Sequence, residues 1–197
     1  MTQSLKQNLK PSYRVIIDPG HGGRDYGGGS NFLFKEKDWA LLVSLAMLGM
    51  FGEKGIKTTI TRREDVYLDS AERARIVRES RAQICLSNHV NALNGWQSGF
   101  EIYHSIYAKP TFAECVAEHW EKAGLQPNKN PIRYRKSEKN PREDYYFMHR
   151  LTGSVQTLIL EYGYGDNAKD REILMANPQK CARATVDGVL AYLGLRY

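Results

Sequence analysis

The sequence predicts an α/β fold, a mainly parallel sheet covered by helices on both faces. Three observations carry that reading. Short apolar or β-branched runs alternate along the chain with stretches of helical period, the order expected of repeated β-then-α units. Several runs are apolar at successive positions, as strands buried on both faces are. Candidate chemical side chains also fall just beyond or at the ends of such runs, where ligands collect in sheets of this kind.

In chain order, Tyr13 to Ile17 is a β-branched run that stops at Pro19-Gly20 and reads as a buried strand feeding a loop. Asp38 to Phe51 carries Trp39, Leu42, Val43, Leu45, Ala46 and Leu48 at helical spacing, with Gly52 and Gly55 marking its end. Gly55 to Arg62 alternates Ile56, Thr58 and Ile60 as a strand does. Ser70 to Arg81 is a charged helix with Ala71, Ala74, Ile76 and Val77, and Gln83 to Ser87 is the following strand. Phe100 to His104 reads as a strand, Thr111 to Ala123 as a helix, Val155 to Glu161 as a strand and Gln179 to Leu193 as a closing helix.

Between Ala108 and Arg150 the composition turns to Lys, Arg, Asn, Pro and Glu, most clearly from Pro127 to Lys136. That segment has too few apolar residues for a core of its own and is expected to be a long surface excursion. The domain organisation expected is a flexible tail over residues 1–12 and a single catalytic domain over 13–197.

A chain of 197 residues, 42% hydrophobic, can bury one ordinary core. Its net charge of +6 suits an anionic partner without choosing among nucleic acid, membrane surface and cell-wall polymer. No stretch is long and apolar enough to span a bilayer, and the polar start from Met1 to Lys10 lacks the apolar centre of a signal peptide. Cys85, Cys115 and Cys181 are far apart and lie in apolar stretches, so buried free thiols are expected.

Four short segments bear the chemistry. They are Val15 to Gly23, which contains Asp18 and His21; Phe34 to Lys37, which contains Glu36; Ser87 to Ala92, which contains His89; and Leu158 to Tyr164, which contains Glu161. Two histidines and a carboxylate, with one position open for water, are the ligand set of a hydrolytic zinc site, and a further glutamate is the base that such a site needs. The pattern implies a metal-dependent amide hydrolase.

The ordered motifs are Asp-Pro-Gly-His-Gly-Gly, Glu-Lys opening a helix, Thr-Arg after a strand, Ser-x-His-x-Asn-Ala, Gly-Phe-Glu and Leu-x-Glu-x-Gly-Tyr. Together they resemble the zinc-dependent N-acetylmuramoyl-L-alanine amidases of the type-3 family, from about Tyr13 to Tyr197. The resemblance implies a three-layer α/β/α sandwich with a mainly parallel twisted sheet. It also implies cleavage of the amide between the lactyl group of N-acetylmuramic acid and L-alanine in peptidoglycan. Carried over by motif, His21, Glu36 and His89 become ligands of one Zn2+ per chain and Glu161 the catalytic general base and acid. Asp25 and Gly27, Thr61-Arg62, and Asn167 with Asp170 match further. The basic stretch from Asn128 to Arg142 matches no family motif.

Each residue also has a plainer reading. His21 could cap a turn, His89 could be a core histidine bonded to Asn91, and Glu36 could be a dipole-favoured first-turn residue. Glu161 would be costly to bury alone and could pair with an arginine. Ser87 and Asn91 could hold ligands or finish a strand end. Arg62 and Arg73 could contact a substrate carboxylate or serve as ion pairs. The basic aromatic segment with Arg133, Tyr134, Arg135, Tyr145 and Tyr146 could hold glycan or anionic wall polymer, or be a solvated loop.

Two other classes of function remain at this level: a zinc peptidase or deacetylase with the same ligands, and a non-catalytic basic module for cell wall or nucleic acid. The expected partner is bacterial peptidoglycan, with anionic wall polymers as a second candidate. Neither nucleic-acid binding nor membrane insertion is expected, and a monomer is. Without a visible export signal, the expectation is synthesis in the cytoplasm and action on the wall after release or lysis, as an endolysin or a sporulation enzyme acts.

Overall fold

The computed structural model describes residues 14–195. The tail expected over residues 1–12 lies outside the described residues. Strands β1 (Val15–Pro19), β2 (Thr58–Ile60), β3 (Ile84–Asn91), β4 (Phe100–Tyr103), β5 (Pro127–Arg133) and β6 (Gln156–Tyr164) form one sheet in the order β2-β1-β3-β6-β4-β5. The first four in that order are mutually parallel, while β4 pairs antiparallel with β6 and β5 follows β4.

Alternate residues of the central strands enter different cores, which is why these strands are apolar at successive positions. Val15 and Ile17 pack with α1 (Glu36–Glu53), α3 (Thr111–Lys122), α5 (Ala168–Ala176) and α6 (Pro178–Tyr192). Ile16, Cys85 and Ile159 point to the opposite face, beneath α2 (Ser70–Ser80) and α4 (Phe147–Arg150). The result is the three-layer sandwich. Fully buried Phe51, Phe112 and Trp120 fill the thicker layer, each contributing on the order of 1.5–3 kcal/mol by burial. Buried polar groups there are paired: Trp120 Nε1 donates to Thr185 Oγ1, and Tyr162 OH donates to Asn88 Oδ1.

Several expectations are corrected. Pro127–Arg133 is not surface excursion but the edge strand β5, in register with β4 through Ile102–Ile132. Its two prolines and its charges disguise it, and an edge position tolerates both. Leu42 and Leu45, counted in the apolar stripe of α1, face outward, whereas Trp39, Val43, Met47 and Phe51 form the buried stripe. Strands β3 and β6 run on to Asn91 and Tyr164, so His89 and Glu161 lie within strands. Helices α4 and α5 were not anticipated. All three cysteines are free thiols, with Cys85 and Cys181 buried and Cys115 half-buried. Among the described residues no helix is long and apolar enough to cross a membrane.

Candidate metal centre

The carboxyl ends of the central strands β1 and β3, with the loop that leads into α1, bring His21, Glu36 and His89 together. His21 follows β1 in a left-handed conformation, φ 57°, inside the glycine-rich turn. Glu36 opens α1, and its buried carboxylate receives Gly29 N–H at Oε2 (2.9 Å) and Val90 N–H at Oε1 (3.0 Å). His89 sits on β3. Two glycines leave the room these groups need: a Cβ on Gly20 would run into the His89 ring, and one on Gly27 would strike the Glu36 carboxylate and His21.

The three inward atoms form a small triangle. His21 Nε2 lies 3.0 Å from Glu36 Oε1, and His89 Nδ1 lies 3.2 Å from the first and 3.1 Å from the second. Asp25 Oδ2, 2.8 Å from His21 Nδ1, accepts the proton on that nitrogen and so leaves Nε2 with its lone pair turned inward. Lone pairs facing one another at this range repel unless a cation lies among them. Ligands around a tetrahedral zinc with bonds of about 2.0–2.1 Å are separated by about 3.3 Å, and two imidazoles with a carboxylate are a known hydrolytic donor set. The residues therefore fit a zinc-type ion. Among the described residues this is the one cluster of three such groups close enough to share a metal.

Electrostatics agree with a cation-seeking site. Burial resists charge on Glu36, but the His21 and His89 imidazoles outweigh it and hold the carboxyl well below the usual carboxylate range. Burial likewise disfavours a proton on His21, yet the adjoining Glu36 and Asp25 raise its affinity for one above the ordinary imidazole value.

Glu161 faces the same cleft of about 360 Å3, together with His21, Glu36, His89 and the α4 residues Phe147 and Met148. It is the register partner of His89 on one side and of Glu101 on the other. Its Oε2 is covered and finds no hydrogen-bond partner among the described residues. Burial first, then the charges of Glu36 and Glu101, push its carboxyl well above the usual range. The neighbouring Glu101 is itself paired, with Arg133 Nη1 2.5 Å from its Oε1.

The other site candidates brace the loops. Arg73 pairs with fully buried Asp18 (2.7 Å) and donates to the Pro19 and His21 carbonyls. Arg62, also buried, donates to the Pro19, Gly20 and Lys37 carbonyls and so ties the β1 loop to α1. Arg62 is absent from the lining of that cleft, whereas Arg73 borders a smaller pocket beside His21 and His89; both guanidinia brace the loops through these bonds. Ser87 donates to Asp18 Oδ2 and Asn91 Nδ2 to Glu101 Oε2, so neither holds a histidine; Asn91 does line the cleft. Sequence reasoning gave no role to Asp25 or Glu101. For Glu101 the available signal was a carboxylate inside the apolar run Phe100 to Tyr103, all four residues of which are buried.

Comparison with known proteins shows the family and the fold. The profile of the N-acetylmuramoyl-L-alanine amidase family matches residues 15–191. A probable cell wall amidase, LytH of Staphylococcus aureus, is 27% identical over 183 residues, which cover 90% of this chain and 57% of that protein. The chain thus spans little more than half the length of the curated relatives it matches. The catalytic domain of CwlV, an N-acetylmuramoyl-L-alanine amidase from Bacillus (Paenibacillus) polymyxa var. colistinus, superposes with a TM-score of 0.80 at 26% identity, over 92% of this chain and 98% of that one. Cwp6 from Clostridium difficile gives 0.77 at 27% identity, over 92% of this chain and 29% of that one.

Proposed function

This chain belongs to the N-acetylmuramoyl-L-alanine amidase family, and we propose that it is a zinc-dependent hydrolase of peptidoglycan. The bond cut is the amide joining the lactyl group of N-acetylmuramic acid to L-alanine. The observation that carries the reading is the convergence of His21 Nε2, Glu36 Oε1 and His89 Nδ1 on one point, with the unpaired Glu161 facing the same cleft.

In this reading His21, Glu36 and His89 hold the zinc and Asp25 fixes the His21 tautomer. The ion supplies Lewis acidity, bringing the pKa of water down to about 7 and polarising the substrate carbonyl. Glu161, with its proton affinity raised, takes the proton of the attacking water and returns it to the departing L-alanine amine. Its Oε2 has no hydrogen-bond partner among the described residues and is free for both transfers. Phe147 and Met148 of α4 close one wall and limit access of bulk water.

Anionic wall polymer is a second partner in this proposal, supported by the basic segment beside the site. Arg135 stacks on Tyr145 at 3.6 Å, and exposed Tyr107 and Tyr134 accompany it. Action at the bacterial wall follows from the substrate.

Purified peptidoglycan, incubated with and without a chelator, tests the reading. New N-terminal L-alanine that disappears on chelation and returns with zinc supports it. Release of another terminus moves the bond to that of a peptidase or deacetylase, and no release overturns the enzymatic assignment.

A further inference from the structure

We propose that Trp96 is a stacking platform for a sugar ring of the glycan strand on which the scissile amide is carried. The inference rests on the amidase reading for the identity of that strand.

The chain has three tryptophans. Trp39 and Trp120 are buried and each Nε1 donates within the core, to Leu174 O and Thr185 Oγ1. Trp96 is 88% exposed. Its loop, between β3 and β4, is nevertheless fixed at several points. Asp166 Oδ2 accepts from Leu93 N (3.0 Å) and Gly95 N (2.8 Å). Asn94 Oδ1 folds back onto the N–H groups of Trp96 and Gln97. Asn128 Nδ2 donates to Ser98 O, and Gly99 N donates to Asp170 Oδ2. A loop held this firmly has little order left to lose on binding, and a rigid aromatic side chain offers a large contact area at low entropic cost. Trp96 contributes nothing to the core, and on its pinned loop the ring is open to a ligand outside the fold.

Location and charge identify the ligand. The loop leaves β3 two residues after His89, and Asn91 and Ala92 form part of the cleft wall. Three residues lie between Ala92 and Trp96, so the Trp96 Cα stands within about 14 Å of that wall. The loop thus leaves from the same end of the sheet as the proposed metal centre, and a glycan strand seated there would cross that end. From Ala92 to Gly99 the loop carries no Lys or Arg, and its supports Asp166 and Asp170 are acidic. Such a surface does not suit an anionic membrane, which attracts basic segments. A pyranose presents an uncharged face of C–H groups that an indole covers, while its hydroxyls at the ring edge stay hydrated.

The test uses the whole chain and glycan strands stripped enzymatically of their stem peptides. Because Trp39 and Trp120 are buried, the fluorescence accessible to an aqueous quencher is that of Trp96. Stripped strands are expected to protect it saturably. Trp96→Ala should weaken strand binding about tenfold or more, as loss of a tryptophan hot spot does, and raise KM for intact sacculi more than it lowers kcat; Trp96→Tyr should restore most of the binding. Stripped strands contain no scissile amide, so strand binding without L-alanine release would count against the amidase reading alone. Equal binding by Trp96→Ala, or no protection by strands, overturns the platform. Protection by phosphatidylcholine vesicles in place of strands would overturn it too, and assign the ring to a membrane surface.

Discussion

His89 and Glu161 are register partners on the adjacent parallel strands β3 and β6. Backbone hydrogen bonding therefore sets the separation between a proposed ligand and the proposed base, whereas His21 and Glu36 arrive from a loop and a helix start. The arrangement divides the site in two. The sheet half is rigid by construction, and the loop half depends on its braces.

Asp25 is the brace most directly tied to the metal. It orients His21 through Nδ1 while its own side chain is 45% exposed. Asp25→Ala should weaken zinc affinity about 10- to 100-fold, the usual effect of losing such a partner. Competition with a chromophoric chelator measures this, and circular dichroism should be unchanged.

Gly20 is the second brace, by virtue of what it lacks. A Cβ there would enter the space of the His89 ring and of Asn88 O. Gly20→Ala should cost about 1–3 kcal/mol as overpacking and displace His89, so both the unfolding midpoint and the zinc stoichiometry should fall. Tight zinc binding by this variant would mean that the His89 ring can shift without loss.

The Asp18–Arg73 pair underlies the β1 loop. Burial opposes charge on Asp18, but Arg73, with hydrogen bonds from Thr61 and Ser87, prevails and keeps the carboxyl below its ordinary value. A carboxyl depressed on folding contributes stability that is complete above its unfolded pKa of about 3.9 and is lost as pH falls through the folded value. Urea denaturation as a function of pH should therefore show an acid limb that Asp18→Asn flattens. Arg73→Met, which strands the buried carboxylate, should destabilise by about 3–5 kcal/mol near neutrality.

How far the sequence disclosed all this depends on the kind of signal. Val15–Ile17 and the α6 helix declare themselves because period and burial coincide. The ligand candidates were legible because glycines and strand ends surround them. The strand β5 was not, since Pro127, Pro131 and a row of charged and amide residues write over its pattern, and Ile132 alone retains an apolar tie to the sheet. Helix α5 carried a readable cap in Asn167, which accepts from the N–H groups of Lys169 and Asp170. The union of Asp18 with Arg73 across 55 residues of sequence, or of Glu101 with Arg133 across 32, has no local signature. Only the folded sheet brings those charges together.

The division of labour between ligands and base is the central claim, and Glu161→Gln tests it most directly. Zinc content and amide release from peptidoglycan should be measured on the same preparation. Zinc content is expected to stay at about one per chain, as in the parent protein, with turnover reduced about 10²- to 10⁴-fold. Loss of the zinc, or turnover close to that of the parent, would contradict that division of labour.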